Sequence, residues 1–276
     1  MNDEAAAEAA TFPAPVRIDG YLAWTWRLFR ASFLRLAPVF AAGVLCAFVG
    51  YYAGVVLIVE GLEVDASVEA LAVAFAARVM LSTIAGTLLA AIAATVYLER
   101  LAGRSPGADA GWRRLKPMFG HAMVAALYLA MPLLLLVLFL GEITNILLLP
   151  ALLGPPVLVH AIVWEQLEFR EAAGRAKNLL AGNWARVISA LFVLAVGPAL
   201  VQILALGLLE NFLPDLTDAD LAAGLWAAIV VAVATAPVWL FTTAAGTVAY
   251  LDLRARFEEL DRDALVAEAE KAAATT

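Results

Sequence analysis

Residues 164–187 read WEQLEFREAAGRAKNLLAGNWARV, a charged stretch set between long apolar runs. Its polar stripe passes through Glu168, Glu171, Arg175, Asn178 and Gly182, the three-and-four spacing of one helical face. Ala172, Ala176, Leu179, Leu180 and Trp184 fall on the opposite side. Glu171 precedes Arg175 by one turn, the favourable order for a helical ion pair. Gly182 suits the left-handed C′ position that ends a helix, and Asn183 suits the N-cap of the next. The pattern predicts a short helix lying along a surface, a sharp corner, and a new helix departing at Val187. If the surface is a membrane, Trp184 and Arg186 belong at its interface.

Composition makes that surface a membrane. Of 276 residues, 64% are hydrophobic and 16% charged, with a mean hydropathy of +0.88; soluble domains are apolar at about half their positions. Apolar runs lie near residues 33–59, 71–98, 122–140, 143–164, 187–209 and 221–250, and several exceed the ~18 residues that read as a span. The expected fold is all-α: a polytopic membrane bundle of six transmembrane helices in three hairpins, each preceded by an interfacial amphipathic helix. Residues 1–16 read as a disordered, Ala-rich acidic tail, 17–256 as a single transmembrane domain, and 257–276 as a charged helical tail.

The net charge of -7 says less than where the cations fall. Of the 18 Lys and Arg residues, all but Arg78 lie in the N-terminal stretch, the polar islands at 99–116 and 164–187, or the C-terminal stretch from Tyr250 onward. Six spans put these four segments on one side and the acidic loops after spans one and five on the other. The positive-inside rule then makes both termini cytoplasmic, at a bacterial inner membrane. Trp24, Trp26, Arg27, Arg30 and Arg35 mix aromatics with arginines where the first span begins; Trp112 and Arg113 do so before the third, and Arg175, Lys177, Asn183, Trp184 and Arg186 before the fifth. These residues are the expected lipid contacts. Aligning 26–35 with 177–186, and more loosely with 112–119, suggests three parallel repeats.

Within the spans, Ser82, Gly86, Ala90 and Ala94 make one smooth helix face; Gly224, Ala228, Ala232 and Ala236 make another, above a kink expected at Pro237, and Gly50 and Gly54 form a GxxxG pair. Gly154, Pro155, Pro156 and His160 mark a broken helix, where freed carbonyls suit a binding site. His121 and His160, the only histidines, have no Cys or clustered carboxylate beside them. Cys46 is the only cysteine, so no disulfide forms within one chain. No sequence pattern supports a catalytic residue, a metal or a cofactor.

The run Glu171-Ala-Ala-Gly-Arg-Ala-Lys-Asn-Leu-Leu-Ala-Gly-Asn-Trp-Ala-Arg186, with Tyr250-Leu-Asp-Leu-Arg-Ala-Arg256 closing the last span, resembles the integral membrane domain of bacterial glycerophosphoryl diester phosphodiesterases and related multi-pass families. That family's phosphodiesterase activity belongs to a separate soluble barrel, which nothing in this chain encodes. The resemblance therefore implies a stand-alone membrane module and carries over no catalytic residue. The leading expectation is a non-enzymatic membrane protein organising lipids, anionic headgroups included, or partner proteins at the cytoplasmic face. A second copy of the chain is also open as a partner; nucleic acid is not expected. The alternatives are a permease for small or lipid-like molecules, suggested by the proline-broken helices, and an intramembrane lipid enzyme using Glu165, Glu168 and His160.

Overall fold

Every described element is a helix. The structure, a computed structural model, describes residues 18–61, 68–104, 106–140, 155–185, 187 and 221–274. In chain order the helices are α1 (Ile18–Gly61), α2 (Val68–Leu101), α3 (Ala108–Leu140), α4 (Pro155–Val163), α5 (Phe169–Leu180), α6 (Leu221–Glu258) and α7 (Arg262–Ala274).

The long helices α1, α2, α3 and α6 build the body. α1 packs along α6 and α2, and α2 along α3, with the short α4 wedged against α2, α3 and α6. The core runs through Leu36, Phe40, Ala93, Tyr97, Leu115, Ile162, Leu240 and Tyr250, all fully buried. Small residues set the closest approaches. A Cβ added to Gly86 would stand 2.5 Å from the Trp239 ring, and one added to Gly111 would stand 2.6 Å from the Ile92 carbonyl oxygen. The smooth face expected on α2 thus receives a tryptophan from α6. Of the second small-residue face, Ala236 is buried; the other side chains on it, and those of Gly50 and Gly54, lie outside the described residues. Pro237 sits inside α6 without ending it.

Among the described residues two stretches are long and apolar enough to cross a membrane, Gly20–Ala47 in α1 and Met80–Leu101 in α2. The expected runs 143–164 and 187–209 lie largely outside the described residues, as do the N-terminal tail and Arg186. α3 and α6 are single helices over the expected third and sixth spans, and 33 residues of α3 measure about 50 Å.

One expectation needs correction. Separate interfacial helices before the first and third spans do not exist: α1 runs unbroken from Ile18 and α3 from Ala108. Among the described residues α5 is the separate amphipathic helix. The cause lies at the corner. Gly182 takes the left-handed conformation at φ +76°, and Val187 N–H donates to the Asn183 carbonyl at 3.0 Å, which opens the next turn. The positions aligned with Gly182 and Asn183 are Ala31 and Ser32, good enough helix residues to let the chain run straight on. The sequence echo is therefore not a repeat of shape. The C-terminal segment, expected as a charged helical tail, forms the helix α7, and Leu260, Leu265 and Ala269 are buried along it.

Candidate functional site

The polar segments of the chain converge at one end of the bundle. Tyr21 on α1 donates to Asp252 on α6 at 2.5 Å, Arg35 on α1 donates to the Pro106 carbonyl after α2 at 3.0 Å, and Arg114 on α3 reaches the α4–α5 turn. The start and middle of α1, the chain after α2, the start of α3, the end of α4 and the end of α6 therefore meet there.

At its centre is a cage of arginines and carboxylates around Trp164 and Tyr250. Arg114 stacks over the Trp164 ring at 4.0 Å and donates to the carbonyls of Val163 at 3.0 Å and Trp164 at 2.6 Å. These bonds satisfy the carbonyls that the end of α4 leaves without helical partners. The Trp164 indole donates to Glu268 at 2.8 Å, and Arg254 grips the same carboxylate with two bonds, 2.6 and 2.9 Å. Arg254 also meets Glu258 at 2.9 Å, whose other oxygen pairs with Arg175. Arg175 in turn holds Glu165 at 2.9 Å, and Glu165 accepts the Tyr250 hydroxyl at 2.6 Å. Next to this ring of contacts, Glu99 pairs with Arg104 at 3.2 Å and Arg114 at 3.6 Å, and Arg104 donates to the Ala269 carbonyl at 3.0 Å. Gln166 holds the turn together with φ +56°, donating to the Val163 carbonyl at 2.6 Å. A non-glycine residue in that region marks strain that its surroundings must hold.

Charge and burial compete here. Burial pushes the Arg114 guanidinium down to about 10, while Glu99 and Glu268 pull the other way. Burial also works against charge on Arg254, but its bonds to Glu268 and Glu258 outweigh that and hold it above the ordinary arginine value. Arg175 is likewise raised against burial by Glu165 and Glu258. Glu268 lies below the ordinary carboxylate range, because the Arg254 bonds outweigh the burial that would raise it. The pairs are close to self-neutralising. Removing one member of a buried pair costs about 3–5 kcal/mol, because the other charge stays behind.

The expected site residues divide into two sets. Arg175 turns inward: it pairs with Glu165 and Glu258, not with Glu171. It is a cage residue, with its guanidinium shared between two carboxylates. Trp26, Trp112 and Trp184 stand about half exposed, at 52%, 48% and 50%, and Arg27, Arg30, Arg113, Lys116 and Lys177 are exposed beside them. Trp24 is half-buried against the core with Arg27 over its ring at 5.3 Å. Arg113 pairs with Asp109 at 3.1 Å in solvent, a contact of little energy. Asn183 is partly buried at the corner.

At the broken helix, Gly154 lies outside the described residues, and Pro155 and Pro156 open α4, where a missing N–H costs no helical bond. His160 is buried, stacked on Tyr250 at 4.9 Å and 2.9 Å from the Thr247 hydroxyl. That hydroxyl spends its proton on the Thr243 carbonyl at 3.0 Å, so His160 Nε2 carries the hydrogen between them. Glu168 is exposed at the start of α5 and makes no side-chain cap; His121 Nδ1 accepts the Phe169 N–H at 3.3 Å instead. Among the described residues no three His, Cys, Asp or Glu side chains come together as a metal set would.

Glu99, Arg114, Arg254, Glu258 and Glu268 are the cage members that sequence reasoning passed over. Arg254 and Glu258 carried a signal in their one-turn spacing, and Tyr250, Asp252, Arg254 and Arg256 of the quoted C-terminal motif all make polar contacts here. Glu268 carried none. No protein-family model, curated protein or solved structure matches this chain.

Proposed function

We propose that this chain is a non-enzymatic, six-span protein of the bacterial inner membrane whose cytoplasmic face organises lipids or partner proteins. The observation that carries this reading is the division of the basic residues. Those pointing inward are neutralised by carboxylates in the cage, whereas Arg27, Arg30, Lys116 and Lys177 point outward beside half-exposed tryptophans. Indole rings at the headgroup level flanked by cations suit an anionic leaflet. The α1 stretch Gly20–Ala47 supports the reading too: it is apolar, yet only 22% of its window is buried inside the protein, leaving a surface that hydrocarbon would cover. Six spans put the cage and both termini in the cytoplasm, in accord with the placement of Lys and Arg.

The test is lipid mass spectrometry on purified protein carrying Arg27→Gln, Arg30→Gln, Lys116→Gln and Lys177→Gln together. Each basic residue near an anionic surface contributes about 1 kcal/mol, so the variant should retain several-fold less anionic phospholipid than wild type at equal thermal stability. Equal retention overturns the reading.

A further inference from the structure

Glu268 differs from the other cage carboxylates in the element that carries it. Glu99, Glu165 and Glu258 stand on the long helices or in the turn after α4, whereas Glu268 stands on α7, 13 residues long. A helix of that length is marginal without tertiary packing. Its packing is narrow: Leu265 and Ala269 are buried, while Asp263, Ala264, Ala267 and Glu270 are exposed. The link from α6 is strained as well. Glu259 takes the left-handed region at φ +52°, where a residue with a Cβ is held only by its surroundings. Such an element is poised to lift.

What α7 brings to the cage has the form of a bound ligand. Arg254 donates from Nη2 to one Glu268 oxygen at 2.6 Å and from Nη1 to the other at 2.9 Å, and the Trp164 indole reaches that second oxygen at 2.8 Å. A guanidinium fork with a third donor is the arrangement that holds a carboxylate or a phosphate. One residue further on, Arg104 donates to the Ala269 carbonyl at 3.0 Å. When α7 lifts, these donors lose acceptors together. The cage, four guanidiniums against four carboxylates, is then left with one positive charge in excess. Glu268 is also the outer member of its pair, its side chain 35% exposed against 6% for Arg254, so its departure opens the fork to solvent. A phosphomonoester, with three acceptor oxygens and more than one negative charge, answers both the donors and the excess charge. We propose that Arg254, Trp164 and Arg104 form a phosphate site that α7 closes, with Glu268 as an internal stand-in, so that α7 and a phosphomonoester compete for the same donors. The phosphate is carried by a lipid headgroup or is free in solution. Such a site rests on the lipid-organising reading of this face and gives it a discrete, gated address.

The experiment uses the full chain in phosphatidylcholine nanodiscs containing either phosphatidic acid, a phosphomonoester, or phosphatidylglycerol, a diester, at equal surface charge. A further arm adds inorganic phosphate to pure phosphatidylcholine discs, against chloride at equal ionic strength. Native mass spectrometry and calorimetry measure binding, and hydrogen exchange across 262–274 reports whether α7 is docked. In wild type, exchange there should accelerate with phosphatidic acid if the ligand is a lipid, or with phosphate if it is the free ion. Glu268→Gln withdraws the charge of the stand-in and should bind that ligand about tenfold more tightly, because the closed fraction of the site lowers the apparent affinity of wild type. Adding Arg254→Lys to Glu268→Gln removes the fork and should abolish the gain. Adding Trp164→Phe instead removes one donor and should weaken binding several-fold; it carries the comparison should the Lys variant not fold. Glu268→Gln binding no more tightly than wild type in either phosphomonoester arm overturns the site, as does an equal gain in phosphatidylglycerol discs. If the site fails while the four outward cations still govern anionic lipid retention, the lipid-organising reading stands without it.

Discussion

The indole of Trp164 donates to the carboxylate of Glu268 at 2.8 Å, joining residues 104 positions apart. Trp164 ends α4 in the middle of the chain, and Glu268 lies on the last helix. One hydrogen bond therefore ties the C-terminal segment to the centre of the bundle end. The same carboxylate holds Arg254, whose side chain is 6% exposed, so Glu268 serves as the counter-charge of a nearly buried cation.

Glu268→Gln removes that counter-charge while keeping an acceptor for the indole. It should destabilise the docked α7 by about 1–3 kcal/mol, with hydrogen exchange accelerated across 262–274 and around 254–258. Exchange unchanged in both segments would show that α7 is held by Leu260 and Leu265 alone.

The same carboxylate makes the docking pH-dependent. Its folded value lies below the ordinary 4.5, so the stabilisation is complete above 4.5 and is lost as the pH falls through the folded value. Protection of α7 from exchange should hold at neutral pH and decline in acid below about 4.5. In Glu268→Gln this decline should be absent; a decline equal to that of wild type assigns it to other groups.

Arg175 and Lys177 are near neighbours in sequence with opposite fates. Arg175→Gln leaves Glu165 and Glu258 facing each other without their shared cation, and should lower stability by about 2–4 kcal/mol with little change in retained anionic lipid. Lys177→Gln should do the reverse, leaving thermal unfolding within about 0.5 kcal/mol of wild type. Equal behaviour of the two variants would erase the distinction between cage and outer surface.

Gly86→Ala places a methyl 2.5 Å from the Trp239 ring. Overpacking of this kind costs about 1–3 kcal/mol. Pairing it with Trp239→Leu should restore most of the loss, so a double-mutant cycle in detergent should show strong coupling. Additive effects would mean that α2 and α6 shift apart freely.

Much of the architecture was legible because it rests on local rules. The apolar face of α5 appears where spacing puts it, with Ala172, Ala176, Leu179 and Leu180 buried, since helical periodicity is a property of neighbouring residues. Gly182 ends the helix in the left-handed region because a residue without Cβ occupies it at no cost. Excess apolar content likewise appears in two stretches of α1 and α2 long and apolar enough to cross a membrane. Continuity of α1 and α3 was misread: an interfacial helix and a span differ in surroundings, and the chain needs a breaker to separate them.

The cage was not legible, and Arg175 shows why. On its own helix, Glu171 lies one turn away, the partner that spacing names. The guanidinium goes instead to Glu165 and Glu258, because burial strengthens a desolvated contact far beyond an exposed one-turn pair. Which carboxylate becomes buried beside it depends on how α4, α5 and α6 cross. Residues near in sequence carry the helices, the corner and the charge asymmetry. Residues far apart carry the choice of partner for each charge, and packing alone brings Trp164, Arg254 and Glu268 within reach of one another.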